Sequence, residues 1–181
     1  HRDFHADLQQ CLAAYPACQG MLSIEILETS ALSDIDRIRE TMQRCQALGV
    51  EFALDDFGTG YSSLTYLSDL PAHELKIDQR FVKNIATERN HLSIVEGVVS
   101  LARAFRRNVI AEGVETAQAG ERLLQLGCAL GQGYFIARPM PAAQVPLWPR
   151  EWTPPASWQT QTLIPKEPQL LLNELIRNAP V

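Results

Sequence analysis

The sequence predicts an α/β fold with parallel strands, either a β/α barrel or a doubly wound sheet. Two observations carry this. Short apolar runs alternate with helix-like segments, and in run after run a polar residue stands within the strand or at its end. These residues are Glu25, the pair Asp55 and Asp56, Lys76, Glu112 and Gln132. Both folds gather their chemistry at the carboxyl ends of their strands. One acid there could be accidental; five such positions in succession point to a site.

The elements follow in order. Phe4 to Tyr15 reads as a helix, with Leu8 and Leu12 one turn apart. Leu22 to Leu27 reads as a strand. Ser33 is the candidate N-cap of a helix through Ile35, Ile38, Met42, Cys45 and Leu48, and Gly49 is a natural residue just past its end. Val50 to Leu54 reads as a strand that delivers Asp55. Gly58 and Gly60 permit a tight loop before a helix from about Ser63 to Leu70, which Pro71 stops. Leu75 to Ile77 is a short strand. His91 to Phe105 is a strongly apolar helix. Val109 to Ala111, Gln118 to Leu126 and Cys128 to Leu130 complete the alternation as strand, helix and strand.

Asp55 and Asp56 carry the chemistry. Burying two neighbouring anions is costly unless a cation neutralises them. Hard divalent ions suit carboxylate oxygens, so the pair points to Mg²⁺ or Mn²⁺; a polar turn with a solvated acidic pair is the alternative. Successive strand residues face opposite ways. The two side chains therefore share one site only if the backbone turns there, and the glycine loop is expected to allow it.

The motifs Ile24-Glu25-Ile26-Leu27-Glu28-Thr29-Ser30 and Asp55-Asp56-Phe57-Gly58-Thr59-Gly60-Tyr61-Ser62-Ser63-Leu64 come first. Leu75-Lys76-Ile77-Asp78, Ala111-Glu112-Gly113-Val114-Glu115 and Gly131-Gln132-Gly133-Tyr134 follow. In residues, order and spacing the series resembles the EAL domain family, bacterial phosphodiesterases of cyclic di-GMP. The resemblance covers about residues 1 to 150 and implies a TIM-like (β/α) barrel. The family's Glu-Ala-Leu segment and an upstream asparagine ligand are not found. Their positions are expected to fall before His1, leaving about the last five β/α units of an eight-stranded barrel.

The resemblance implies metal-dependent opening of one phosphodiester bond of cyclic di-GMP to give linear pGpG, with two Mg²⁺ or Mn²⁺ ions. It implies Glu25 and Asp55 as ligands of the first metal, Asp55 as a bridge, and Asp56 and Glu112 as completing the second. Lys76 is expected to bond the attacking water or steady the phosphate, so Lys76, Glu112 and Asp56 form the catalytic set. Gln132 is expected to orient a water or substrate oxygen. Glu28 is expected to anchor the loop after the aspartate pair, and Glu115 to support the same region. Asp78 reads as a turn or cap residue. Tyr134, Phe135 and the Arg138-Pro139 turn are candidates for the pocket rim. The rival reading is an inactive EAL-like module that binds cyclic di-GMP or a protein partner in signalling. An unrelated metal-dependent barrel enzyme fits the periodicity but not the motif series.

The remaining bounds are broad. A hydrophobic fraction of 46% with 20% charged residues is ordinary for a globular chain. A net charge of −5 offers no global attraction to DNA or RNA, while bound metals would invert the sign of the site for a dianionic dinucleotide. Cys11, Cys18, Cys45 and Cys128 lack metal-binding spacing and read as free thiols in a cytoplasmic protein. The histidines form no triad pattern. Residues 1–152 are expected to form the partial EAL domain and 153–181 a Pro/Trp-rich tail, with a short helix over Glu167 to Arg177. A partial barrel leaves sheet edges open, so marginal stability or a homodimer is expected. The parent protein is expected to carry sensory or cyclase domains.

Overall fold

A computed structural model describes residues 4–59 and 64–159. Five parallel strands form one sheet: β1 (Ser23–Leu27), β2 (Glu51–Phe57), β3 (Glu74–Ile77), β4 (Asn108–Glu112) and β5 (Leu130–Gln132). They lie in the order β1-β2-β3-β4-β5. Among the described residues the order never reverses, as it does at the switch point of a doubly wound sheet. Each strand pairs with the next in the chain, as in a barrel.

Helices fill the crossovers. α1 (Phe4–Ala14) precedes β1; α2 (Glu28–Ser33) and α3 (Ile35–Gln46) link β1 to β2; α4 (Leu64–Asp69) links β2 to β3. The short α5 (Gln79–Val82) and the long α6 (Arg89–Ala104) link β3 to β4, and α7 (Ala117–Leu126) links β4 to β5. Two single turns follow, α8 (Trp148–Glu151) and α9 (Ala156–Gln159). The core lies between the sheet and its helices. Phe52, Leu54, Leu75 and Ile77 of the central strands meet Met42 and Cys45 of α3 and Val95, Val99 and Ala102 of α6. In β3 the buried Leu75 and Ile77 flank Lys76, so the strand sends apolar residues to the helices and its charge to the opposite face.

Several local signals differ from expectation. Asp34, not Ser33, caps α3, its carboxylate accepting the Arg37 N–H. Ser33 is taken up by the unforeseen turn of α2. Gly49 does end α3: at φ +80° its N–H donates to Gln46 and the Val50 N–H to Cys45, a glycine-terminated helix end. Cys128 is not in a strand. It is buried in the turn after Gly127, whose φ of +87° ends α7, and β5 starts two residues later. Arg107 donates to the carbonyls of Leu67 and Leu70 and ties the α4 end to the start of β4. The expected loop residue Gly60, the expected helix start at Ser63 and the helix over Glu167 to Arg177 lie outside the described residues. No described helix is long and apolar enough to cross a membrane.

Candidate active site at the carboxyl ends of the strands

Strand register places the polar residues on one face. Glu25 pairs with Ala53, two residues before Asp55. Lys76 pairs with Ile110, two residues before Glu112, and Glu112 pairs with Gln132. Alternation of side chains with a period of two then turns Glu25, Asp55, Lys76, Glu112 and Gln132 the same way.

Asp56 would point to the opposite face in a regular strand. The strand is not regular there. The β2–β3 register shifts between Leu54 and Phe57, and Asp56 has φ +55°. Asp is one of the few non-glycine residues that visit the left-handed region readily. The turn that unites the two aspartates is thus made at Asp56 itself, ahead of the glycine loop to which the sequence assigned it. Bulges of this kind re-aim side chains beside active sites.

Lys76 is the hub. Its side chain is only 5% exposed, and its Nζ lies 2.6 Å from Glu112 Oε1, 2.7 Å from Glu25 Oε1 and 3.3 Å from Asp55 Oδ1. Burial alone would depress the ammonium's pKa. The hydrogen bonds to Glu112 and Glu25 and the charges of Glu112 and Asp55 outweigh it and hold the pKa well above the usual lysine value. Its carboxylate partners thus favour Lys76 as a cation and hydrogen-bond donor. Asp56 is pushed above the usual carboxylate range, first by burial and then by the charges of Asp55 and Asp78, with Arg80 and Lys76 opposing.

Asp55, Asp56 and Glu112 bring one carboxylate oxygen each within 4.8 Å of one another. Glu25 stands beside this trio, joined to it through Lys76. Asp55 Oδ1 is buried and accepts no hydrogen bond; its contact with Lys76 is electrostatic only. A buried anionic oxygen without a hydrogen bond is costly, and one ammonium shared with Glu25 and Glu112 offsets only part of that cost. Four carboxylates against one ammonium also leave the cluster anionic. The donor set is all hard oxygen and fits a divalent cation.

Around the cluster the supports differ in kind. Glu28 is fully buried, and its Oε2 accepts the Gly58 N–H at 3.0 Å, just past the aspartate pair. Glu115 turns away from that loop and pairs with Lys83 at 3.1 Å, because the chain leaves β4 through Gly113 at φ +70° toward the α5 side. Gln132 donates to Glu112 Oε1 at 2.8 Å, so it orients a carboxylate of the chain itself. Asp78 caps α5 and binds Arg80. A cleft of about 550 Å³ opens beside Glu112 and Gln132, with Tyr134 and Arg138 on its rim. The Arg138 guanidinium lies over the Tyr134 ring, 4.5 Å from its centre. Phe135 instead packs inward on Trp158. No periodicity or motif in the sequence points to that contact.

A run of parallel strands in chain order, with acids and one lysine gathered at their carboxyl ends, is the arrangement of a barrel-type site. The EAL domain family model matches residues 1–139, and the chain belongs to this family. It is 44% identical over 124 residues to the bifunctional diguanylate cyclase/cyclic di-GMP phosphodiesterase MucR of Pseudomonas aeruginosa, a match covering 68% of this chain and 18% of that protein. Among solved structures it resembles the PaMucR phosphodiesterase in complex with c-di-GMP. The TM-score is 0.76 at 40% identity, over 80% of this chain and 59% of that one. Klebsiella pneumoniae BlrP1, solved as a manganese/cy-diGMP complex, gives a TM-score of 0.70 at 31% identity, over 77% and 36% of the two chains.

Proposed function

We propose that this chain carries the metal-binding half of a cyclic di-GMP phosphodiesterase site. In the proposed reaction the oxygen of one water bonds to phosphorus and one P–O3′ bond breaks. The leaving 3′ oxygen takes a proton, and linear pGpG is released. The observation that carries this reading is the convergence of Asp55, Asp56 and Glu112, one carboxylate oxygen of each within 4.8 Å of the others. The names of the two related structures, both bound to the dinucleotide, support the substrate.

Asp55, Asp56 and Glu112, with Glu25 beside them, would hold Mg²⁺ or Mn²⁺, which when bound neutralises phosphoryl oxygens and acidifies water. The chain's own residues do the rest. Lys76 fixes Glu25 and Glu112 and presents its positive charge to the phosphate face. Gln132 holds the same Glu112 oxygen and so orients a carboxylate that would help hold the cation. Glu28 keeps the backbone after the bulge in place through Gly58. Tyr134 and Arg138 offer a ring face and a cation on the cleft rim, suited to a base and a phosphate.

We also place the protein in the cytoplasm, on the ground that its four cysteines are free thiols. Self-association is proposed from the sheet edges. Among the described residues β1 and β5 each have one neighbour, and Leu27 and Leu130 on them are about half exposed.

The test is incubation with cyclic di-GMP and Mn²⁺ beside Glu112→Gln, following both hydrolysis and binding by equilibrium dialysis. Linear product lost in the variant supports the phosphodiesterase. Tight binding without turnover in the unmodified chain favours the signalling module instead.

A further inference from the structure

Trp158 lies beyond the residues matched by the family, yet it is tied to the site. Its indole covers Gly120 of α7, where even a methyl group would collide with the ring. Its Nε1–H donates to Ala117 O at 2.8 Å. The ring leans on Phe135, with centroids 5.5 Å apart, and on Trp152 at 6.1 Å. Trp152 stacks on Trp148 at 5.3 Å, and the Trp148 Nε1–H donates to Ile136 O at 3.1 Å. The aromatic strap therefore grips the loop after β5 twice, through the Phe135 ring and the Ile136 carbonyl.

The same loop is pinned from inside. Val114 N–H donates to Gln132 O and Phe135 N–H to Val114 O, both at 3.0 Å. A Cβ on Gly133 would strike the Val114 backbone. Between these clamps sits Gln132, whose amide holds Glu112. β5 is only three residues long and exposed throughout. The contacts on the loop beyond it therefore weigh heavily in holding a strand so short.

From these contacts we propose that Trp158 is a positioning residue for the carboxylate cluster. It fixes the 133–136 loop, so that Gln132 keeps Glu112 turned toward Asp55 and Asp56. The effect on metal rests on the reading of Glu112 as a ligand; the effect on the loop does not.

Two readouts separate these. Hydrogen exchange without metal reads the loop. Trp158→Ala should speed exchange over residues 130–137 about tenfold while the β2 and β3 amides stay protected. Unchanged exchange over 130–137 overturns the proposal, whatever the metal does. If Trp158→Ala does not melt cooperatively, Trp158→Leu keeps apolar cover on Gly120 while removing the ring contact and the N–H; the same local acceleration is expected and its absence is equally decisive. Calorimetric Mn²⁺ titration reads the coupling. Gln132→Ala should weaken binding about tenfold, as losses of a ligand's orienting partner do. Adding Trp158→Ala to Gln132→Ala should then change little, because both act through one contact. Full additivity contradicts action through Gln132. If the unmodified chain binds no Mn²⁺, the metal reading fails, and the exchange result still decides the role of Trp158.

Discussion

Lys76 and Gln132 grip the same oxygen of Glu112, the ammonium at 2.6 Å and the amide at 2.8 Å. The two donors approach from neighbouring strands on either side of β4. Glu112 is thereby locked through Oε1. A carboxylate fixed in this way is prepared to bind a cation with little loss of side-chain entropy.

Removing the hub should therefore hurt most when no cation replaces it. Lys76→Met leaves Glu25, Asp55 and Glu112 facing one another. Breaking a buried pair costs about 3–5 kcal/mol, and the half-exposed Glu25 brings the expectation to about 2–3 kcal/mol here. Thermal melting in EDTA should show a fall in Tm of several degrees, and millimolar Mn²⁺ should recover part of it. An unchanged Tm would mean that the lysine is not the counter-charge of the cluster.

Glu28 tests the loop. Glu28→Ala strips the Gly58 N–H of its acceptor, and an unsatisfied buried donor costs about 1–3 kcal/mol. Glu28→Gln retains an acceptor oxygen and should recover most of the stability and Mn²⁺ affinity. Urea titration and calorimetry on the pair measure both. Equal behaviour of the two variants contradicts the anchoring role.

Cys128 gives a pH dependence of known sign. Burial pushes its thiol up to about 11 in the fold, against an unfolded value of about 8.5. The native state then holds the proton more tightly than the unfolded chain. Stability from this group is intact below the unfolded value and falls as pH rises from there through about 11. Cys128→Ala should flatten that alkaline loss in urea titrations at several pH values. In the native protein at pH 8, a thiol reagent should label the exposed Cys11 and Cys18 and spare Cys45 and Cys128; rapid labelling of all four contradicts the packing.

The open edges predict that melting depends on protein concentration. Leu27→Lys and Leu130→Lys, placed on β1 and β5, should remove that dependence. A concentration-independent transition of a monomer in the unmodified chain contradicts the proposed self-association.

Much of this site was legible in the sequence because strand ends and acids coincide. The motif series groups Glu25, Asp55, Asp56, Lys76 and Glu112 in one site, and parallel register brings all of these but Asp56 to one face. How Asp56 joins them was not legible: a left-handed aspartate inside a strand is set by tertiary context, and the nearby glycines drew the expectation to the loop. Gln132 was assigned to water or substrate because its register partner is visible only once β4 and β5 are paired. Glu115 looked equivalent to Glu28 by motif position, yet Gly113 turns the chain and sends it to Lys83. The strap around Trp158 carried no periodic signal, since its tryptophans sit among prolines and gain their meaning from Gly120 and Phe135, both distant in sequence.

Chromatography of the product formed from cyclic di-GMP, as Mn²⁺ is titrated into EDTA-treated protein, tests the central claim most directly, with Asp55→Asn alongside. Linear pGpG should appear in proportion to bound metal and vanish in the variant, which loses the negative charge of the carboxylate whose buried Oδ1 accepts no hydrogen bond. Product formed equally without metal, or undiminished in Asp55→Asn, would contradict a phosphodiesterase built on this carboxylate cluster.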